Sequence, residues 1–347
     1  EHKMGIKASP TCVMSYGDNS GAVGYLIGEE NQGMRYMFTM MNNARLSVGL
    51  EGLALAERAY QDALQYAQER RQGRAPGAPP GEMSLIIDLP DVRRMLLTMK
   101  SLIDAMRAIS YITAEGTELA AHLDDDARTA AKERVDLLIP VAKGWSTDMG
   151  IEVTSLAIQI YGGMGYIEES GVPQHYRDAR ITAIYEGTNG IQAMDLVGRK
   201  LPMRAGGVVQ DFFDEVAALD DALAAGGDEL AVIRTQLASA LEVTTDTTTW
   251  LMENGLTDVR NALAGATPYL RMFSLLVAGW ATAKQALAAR AVLEGGATGE
   301  AAEVAVGKVA TAQFFAEQIL PAVHGLVSPV KAGFGDVYEV DLAALAG

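Results

Sequence analysis

Three long runs between residues 34 and 163 return apolar side chains every three or four positions, and this limits the chain to a helical architecture. The first, "MMNNARLSVGLEGLALAERAYQDALQYAQERR", ends in basic residues before Gly73, which predicts a helix over 34–72. The second follows the loop "GRAPGAPPGE" and places Pro90 in the first turn, where proline is tolerated, predicting a helix over 90–122. The third, "DDDARTAAKERVDLLIPVAKGWSTDMGIEVTSLAIQIYGG", should be kinked by Pro140 and ended by Gly162 and Gly163. A shorter helix is expected to begin near Thr188.

Composition agrees: apolar residues make up 49% and aromatics only 6%, with Ala, Leu, Met and Gly prominent. Before residue 34 the pattern differs. "TCVMSY" and "AVGYLIG", separated by the turn signal "GDNSG", read as remnants of strands. The chain opens without an initiator methionine in what reads as the middle of a β region, so a piece of a longer protein is expected. After a break at "LPMRAGGVVQ" come "DELAVIRTQLASALEVT", capped by Asp228, then "TPYLRMFSLLVAGWATAKQALAARAVLEGG" and "TGEAAEVAVGKVATAQFFAEQIL". "EVTTDTTTW", rich in β-branched threonine, has poor helix propensity. The expected units are therefore a β remnant over 1–33, a helical bundle over 34–204 and an appended acidic helical domain over 205–347.

Formal net charge is −16, which argues against nucleic-acid binding. Residues 205–347 carry 7 Lys and Arg against 18 Asp and Glu, so an anionic ligand belongs in the first part. The apolar run "MFSLLVAGWATAKQALAARAVL" is interrupted by Lys284 and Arg290 and reads as a core helix rather than a membrane span. The single cysteine, Cys12, excludes a disulfide framework and fits a reducing, cytoplasmic setting. His2, His122, His175 and His324 show no metal-ligand spacing, and no metal is expected.

Two glycine-bearing turns stand out. In "ITAIYEGTNG", Glu186 is either a general base desolvated by the preceding apolar stretch or a solvated glutamate favoured beside a helix N-terminus. "GGMG" is either a helix stop or a backbone bare enough to approach a pyrophosphate, and it is not GxGxxG. "ERRQGR" is a phosphate clamp or a solvated face, and Arg45 an anion contact or half of an ion pair.

Taken in order, "ARLSVGLEGLALAERAYQDALQYAQERRQGR", "QIYGGMGY" and "RDARITAIYEGTNGIQ" resemble the acyl-CoA dehydrogenase family. The aromatic that usually follows the basic helix end is missing here. The resemblance covers roughly residues 1–204. Residues 205–347 resemble the extra helical domain of a longer bacterial subgroup. It implies a mainly α fold: the family's C-terminal four-helix bundle, preceded by a residual β segment and followed by that extra domain. It implies FAD and an acyl-CoA substrate oxidised to a trans-2-enoyl-CoA, with electron-transfer flavoprotein as acceptor and a dimer or tetramer as assembly. Glu186 matches the base, and its backbone N–H the oxyanion contact, which also draws Gly187 into the substrate site. Some members carry the base on the first bundle helix, where this chain has Ala44. Arg70 matches an arginine on the FAD pyrophosphate. Gln159, Gly162 and Gly163 match contacts to the adenylate of a neighbouring subunit's FAD. Thr188 matches a further flavin contact, with Asn189 and Gly190 beside it. Arg45 matches an arginine near CoA. The alternatives are a catalytically incompetent oligomerisation fragment and an acyl-CoA oxidase.

Overall fold

Helix α1 spans Gly33–Glu69, α2 Pro90–His122 and α3 Asp125–Tyr161, joined up-down-up by the 70–89 loop and by the two residues Leu123 and Asp124. A computed structural model describes residues 1–346. Small residues decide how α1 meets α3. Ala56, Ala59, Ala63 and Ala67 are fully buried along one stripe of α1. A Cβ at Gly49 would stand 2.3 Å from the Ala142 carbonyl oxygen, and one at Gly52 2.9 Å from that of Ser146. Tyr66 stacks on Tyr161 at the far end, ring centroids 4.1 Å apart, so the two helices run parallel in near backbone contact. Pro140 lies inside α3, which continues through it and is capped at Gly162 with φ 59°.

Short helices α4 (Val172–Ala179) and α5 (Asn189–Asp195) lie against α3. Beyond residue 195 a π-helical and 3-10 stretch leads through Arg204 and Ala205, both left-handed, into α6 (Gly207–Ala217), α7 (Asp220–Ala225), α8 (Ala231–Thr257), α9 (Val259–Ala264), α10 (Ala266–Glu294) and α11 (Glu300–Phe314). Helix α10 is the hub of this second half and packs on α2, α3 and α5 as well as on α8 and α11. Tyr269, Phe273 and Trp280 on α10 are fully buried, with Phe212 of α6 5.5 Å from Phe273 and 5.4 Å from Trp280. Each such ring contributes about 2–3 kcal/mol by burial. One continuous core therefore runs from α1 to α11.

Three expectations are corrected. The strands expected in "TCVMSY" and "AVGYLIG" do not form: residues 7–31 lack strand structure, and the one β-bridge among the described residues joins Arg71 to Leu85. A strand needs a partner for its backbone polar groups, and no other segment described here offers an edge. Asp228 does not cap α8, which starts after Leu230. The threonine-rich 242–250 segment is helical throughout, because Thr244, Thr247 and Thr248 are buried against the rest of the core and tertiary packing overrides weak propensity.

Candidate functional site

The Glu186 turn is built by the sequence around it. Helix α4 tightens into a 3-10 turn over Arg180–Ala183, where Thr182 donates to the Ala179 carbonyl at 2.7 Å. Glu186 (φ 58°) and Gly187 (φ 81°) then adopt consecutive left-handed conformations. Thr188 caps α5 by accepting from the Ile191 N–H at 3.3 Å. The turn reverses the chain between α4 and α5 and leaves the Glu186 side chain half-buried at its apex.

Four residues unforeseen in the sequence hold it. Gln192, fully buried, donates to the carbonyls of both Glu186 and Gly187 at 3.3 Å. Lys143 of α3, also fully buried, donates to the Gly187 carbonyl and to Asn189 Oδ1, each at 2.8 Å. Tyr185 donates to the Glu51 carboxylate on α1. Burial, then the hydrogen bond and charge of Glu51, push the Tyr185 phenol far above its ordinary range, so it stays a donor. Burial pulls the Lys143 ammonium down to about 8; Asp148 and Glu186 oppose that fall and Arg45 adds to it. The available signal was a lysine in the apolar run "LLIPVAKGW", on the helix face that faces α1 and α5.

Of the expected site residues, Glu186, Gly187, Thr188, Asn189 and Gly190 come together on this turn. Two of the expected residues are engaged within the protein. Asn189 turns inward: its amide donates to Gly144 O, Thr147 Oγ1 and Asp148 Oδ1 at 2.7–3.0 Å. Its side chain is thus consumed in tying α5 to α3. Arg45 is buried in an ion pair with Asp195 at 3.2 Å, and Arg199 holds the other oxygen of that carboxylate at 2.5 Å. With both partners of the Arg45–Asp195 pair at most 7% exposed, Arg45 is no free anion contact.

Arg70, Gln159, Gly162 and Gly163 form a second group. Because α1 and α3 run parallel, their C-termini share one end of the bundle. Twelve helical residues of α3 separate Gln159 from Thr147 beneath the turn, about 18 Å along the axis. All four residues are exposed, and nothing lies within 4 Å of where a Cβ would stand on Gly162 or Gly163.

Two family models match the chain: "Acyl-CoA dehydrogenase, C-terminal domain" over residues 31–201 and "Acetyl-CoA dehydrogenase C-terminal like" over 209–341. The chain belongs to the acyl-CoA dehydrogenase family. Among acyl-CoA dehydrogenases it is 46% identical over 320 residues to the 3-methylmercaptopropionyl-CoA dehydrogenase of Ruegeria pomeroyi, covering 92% of this chain and 53% of that protein. It is 34% identical to the broad-specificity linear acyl-CoA dehydrogenase FadE5 of Mycobacterium tuberculosis, covering 99% of this chain and 58% of that one. The chain thus spans about half the length of the curated relatives it matches. The crystal structure of an acyl-CoA dehydrogenase complexed with FAD from Bacillus anthracis superposes with a TM-score of 0.74 at 20% identity, over 95% of this chain and 55% of that one, and shows the shared fold. Among the described residues no helix is long and apolar enough to cross a membrane.

Proposed function

We propose that the chain carries the base-bearing part of an FAD-dependent acyl-CoA dehydrogenase, which converts an acyl-CoA thioester to a trans-2-enoyl-CoA. The observation that carries this is the Glu186 turn, held by Gln192 and Lys143 so that a half-buried carboxylate and its backbone N–H occupy fixed positions. Glu186 takes the proton from the α-carbon, and its N–H receives the thioester oxygen as negative charge grows there. Tyr185, tied to Glu51, fixes the N-terminal side of the turn.

The end of the bundle fits a dinucleotide. Gly162 and Gly163 present open backbone, with the exposed Arg70 guanidinium available for phosphate and Gln159 for polar edges. FAD, when bound, supplies the acceptor for the β-hydrogen as hydride. Thr188 and Gly190 are proposed to face the flavin from the turn. The further proposals are electron-transfer flavoprotein as the onward acceptor, a dimer or tetramer in which Gln159–Gly163 serve a neighbouring subunit's cofactor, and a cytoplasmic setting, supported by the unpaired, exposed Cys12.

Glu186→Gln tests the reading in the complete FAD-loaded protein. Flavin content should be unchanged, while the rate of flavin bleaching by acyl-CoA in stopped flow should fall about a hundred- to ten-thousand-fold. Bleaching within tenfold of wild type refutes the base assignment.

A further inference from the structure

We propose that Lys143 is a positioning residue for the reaction: its buried ammonium clamps the Gly187 carbonyl and Asn189 Oδ1, and so sets where the Glu186 carboxylate points.

The geometry leads there. Glu186 and Gly187 are both left-handed, and a non-glycine residue such as Glu186 persists in that conformation only where its surroundings over-determine it. Thr188 caps α5 but does not touch the turn's carbonyls. The Gly187 carbonyl, one peptide beyond Glu186, takes a short bond from Lys143 at 2.8 Å and a longer one from Gln192 at 3.3 Å. The same ammonium bonds Asn189 Oδ1 at 2.8 Å, and Asn189 in turn donates to three groups of α3. Lys143 therefore joins the C-terminal side of the turn to a helix that is itself locked against α1. A fully buried lysine without a carboxylate in hydrogen-bond contact is costly, and a well-packed apolar side chain would be the cheaper occupant of a core position. The Glu186 charge is one of those that act on this ammonium.

The inference rests on the dehydrogenase reading for its rate prediction and not for its structural one. In the complete FAD-loaded protein, Lys143→Met should keep flavin content and acyl-CoA KM close to wild type and should melt no lower than wild type at neutral pH. Its kcat should fall about ten- to a hundredfold, the loss expected from misplacing a reacting group by about an ångström. Amide hydrogen exchange across residues 187–192 should quicken at least about tenfold while α3 keeps its protection. Lys143→Arg, which retains charge and donors, should recover part of both. Unchanged kcat and exchange in Lys143→Met would overturn the proposal. So would a failure of both variants to fold, or a loss of protection spread over the whole molecule, since either shows a general packing role. Glu186→Gln run alongside separates the two readings. If no acyl-CoA bleaches the wild-type flavin, the dehydrogenase reading falls while the exchange result still judges the clamp.

Discussion

Buried charge is handled in two ways beside the Glu186 turn. Asp195 sits between two guanidiniums, Arg45 and Arg199, and its charge is compensated in place. Lys143 has only a carbonyl and an amide oxygen, so burial dominates its protonation and lowers its pKa from 10.5 to about 8. The sign of the consequence follows from proton counting. Below pH 8 both folded and unfolded chains hold the Lys143 proton, and the folded state bears the full cost of burying it. Between about 8 and 10.5 the unfolded chain holds the proton more tightly, so stability rises with pH through that window, by about 3 kcal/mol in all. Asp148 on α3, Arg45 on α1 and Glu186 on the turn are the charges that face it. Urea unfolding of wild type and Lys143→Met at stepped pH should show wild type gaining on the variant from pH 8 to 10.5. A difference that stays flat contradicts the assigned pKa.

Helices α1 and α3 owe their close approach to what their sequences omit. Gly49, Gly52 and Gly150 meet the opposing backbone where any Cβ would lie within 3 Å of a carbonyl oxygen. This approach puts Lys143 and Thr147 under the turn and Glu51 within reach of Tyr185. Gly49→Ala sets two effects against each other. Helix propensity favours alanine by about 1 kcal/mol. A Cβ 2.3 Å from the Ala142 oxygen forces two backbones apart, and overpacking of this kind costs about 1–3 kcal/mol. The net expectation is destabilisation by about 1 kcal/mol, read as a lower urea midpoint at unchanged slope. A more stable variant would show that the seam has slack. The glycines were visible in the sequence, but not what they faced. The same holds for Thr244, Thr247 and Thr248: their weak helix propensity is local information, while their burial, with Thr248 bonding the Tyr269 hydroxyl at 2.7 Å, is decided by α10.

Asp104 of α2 ties the first half of the molecule to the second. It is buried between Lys100 and Lys308, both at 2.7 Å, with Thr311 Oγ1 at 3.1 Å, so a single carboxylate joins α2 to α11. Burial works to raise its pKa, but the hydrogen bonds and charges of the two lysines prevail and hold it below the usual carboxylate value. A depressed folded pKa means that the stabilisation is present above the unfolded value near 3.9 and is lost as pH falls through the folded one. Wild type should therefore lose stability relative to Asp104→Asn as pH drops below about 4. At neutral pH Asp104→Ala should cost about 3 kcal/mol, because two partly buried ammoniums lose their partner. Thermal melts from pH 7 to 3 check both. Equal acid sensitivity of wild type and Asp104→Asn would remove Asp104 from the account.

Local patterning determined the helices of this chain. The three- and four-residue period set α1, α2 and α3, Gly162 ended α3 and Thr188 capped α5, because period, stop and cap depend on residues within one or two turns. The quoted motifs likewise pointed to the acyl-CoA dehydrogenase family and put Glu186 on a glycine-bearing turn. Tertiary structure alone decided which polar side chains were free to act. Arg45 read equally as an anion contact or half of an ion pair and is paired with a residue 150 positions away, and Asn189, expected beside a flavin contact, is spent on α3. Lys143, which no local pattern singled out, is buried and bonds the Gly187 carbonyl of the turn. The strand-like N-terminal segment found no edge to pair with. Hydrogen-bond partners, burial and sheet edges are supplied by segments distant in sequence, and no local pattern carries them.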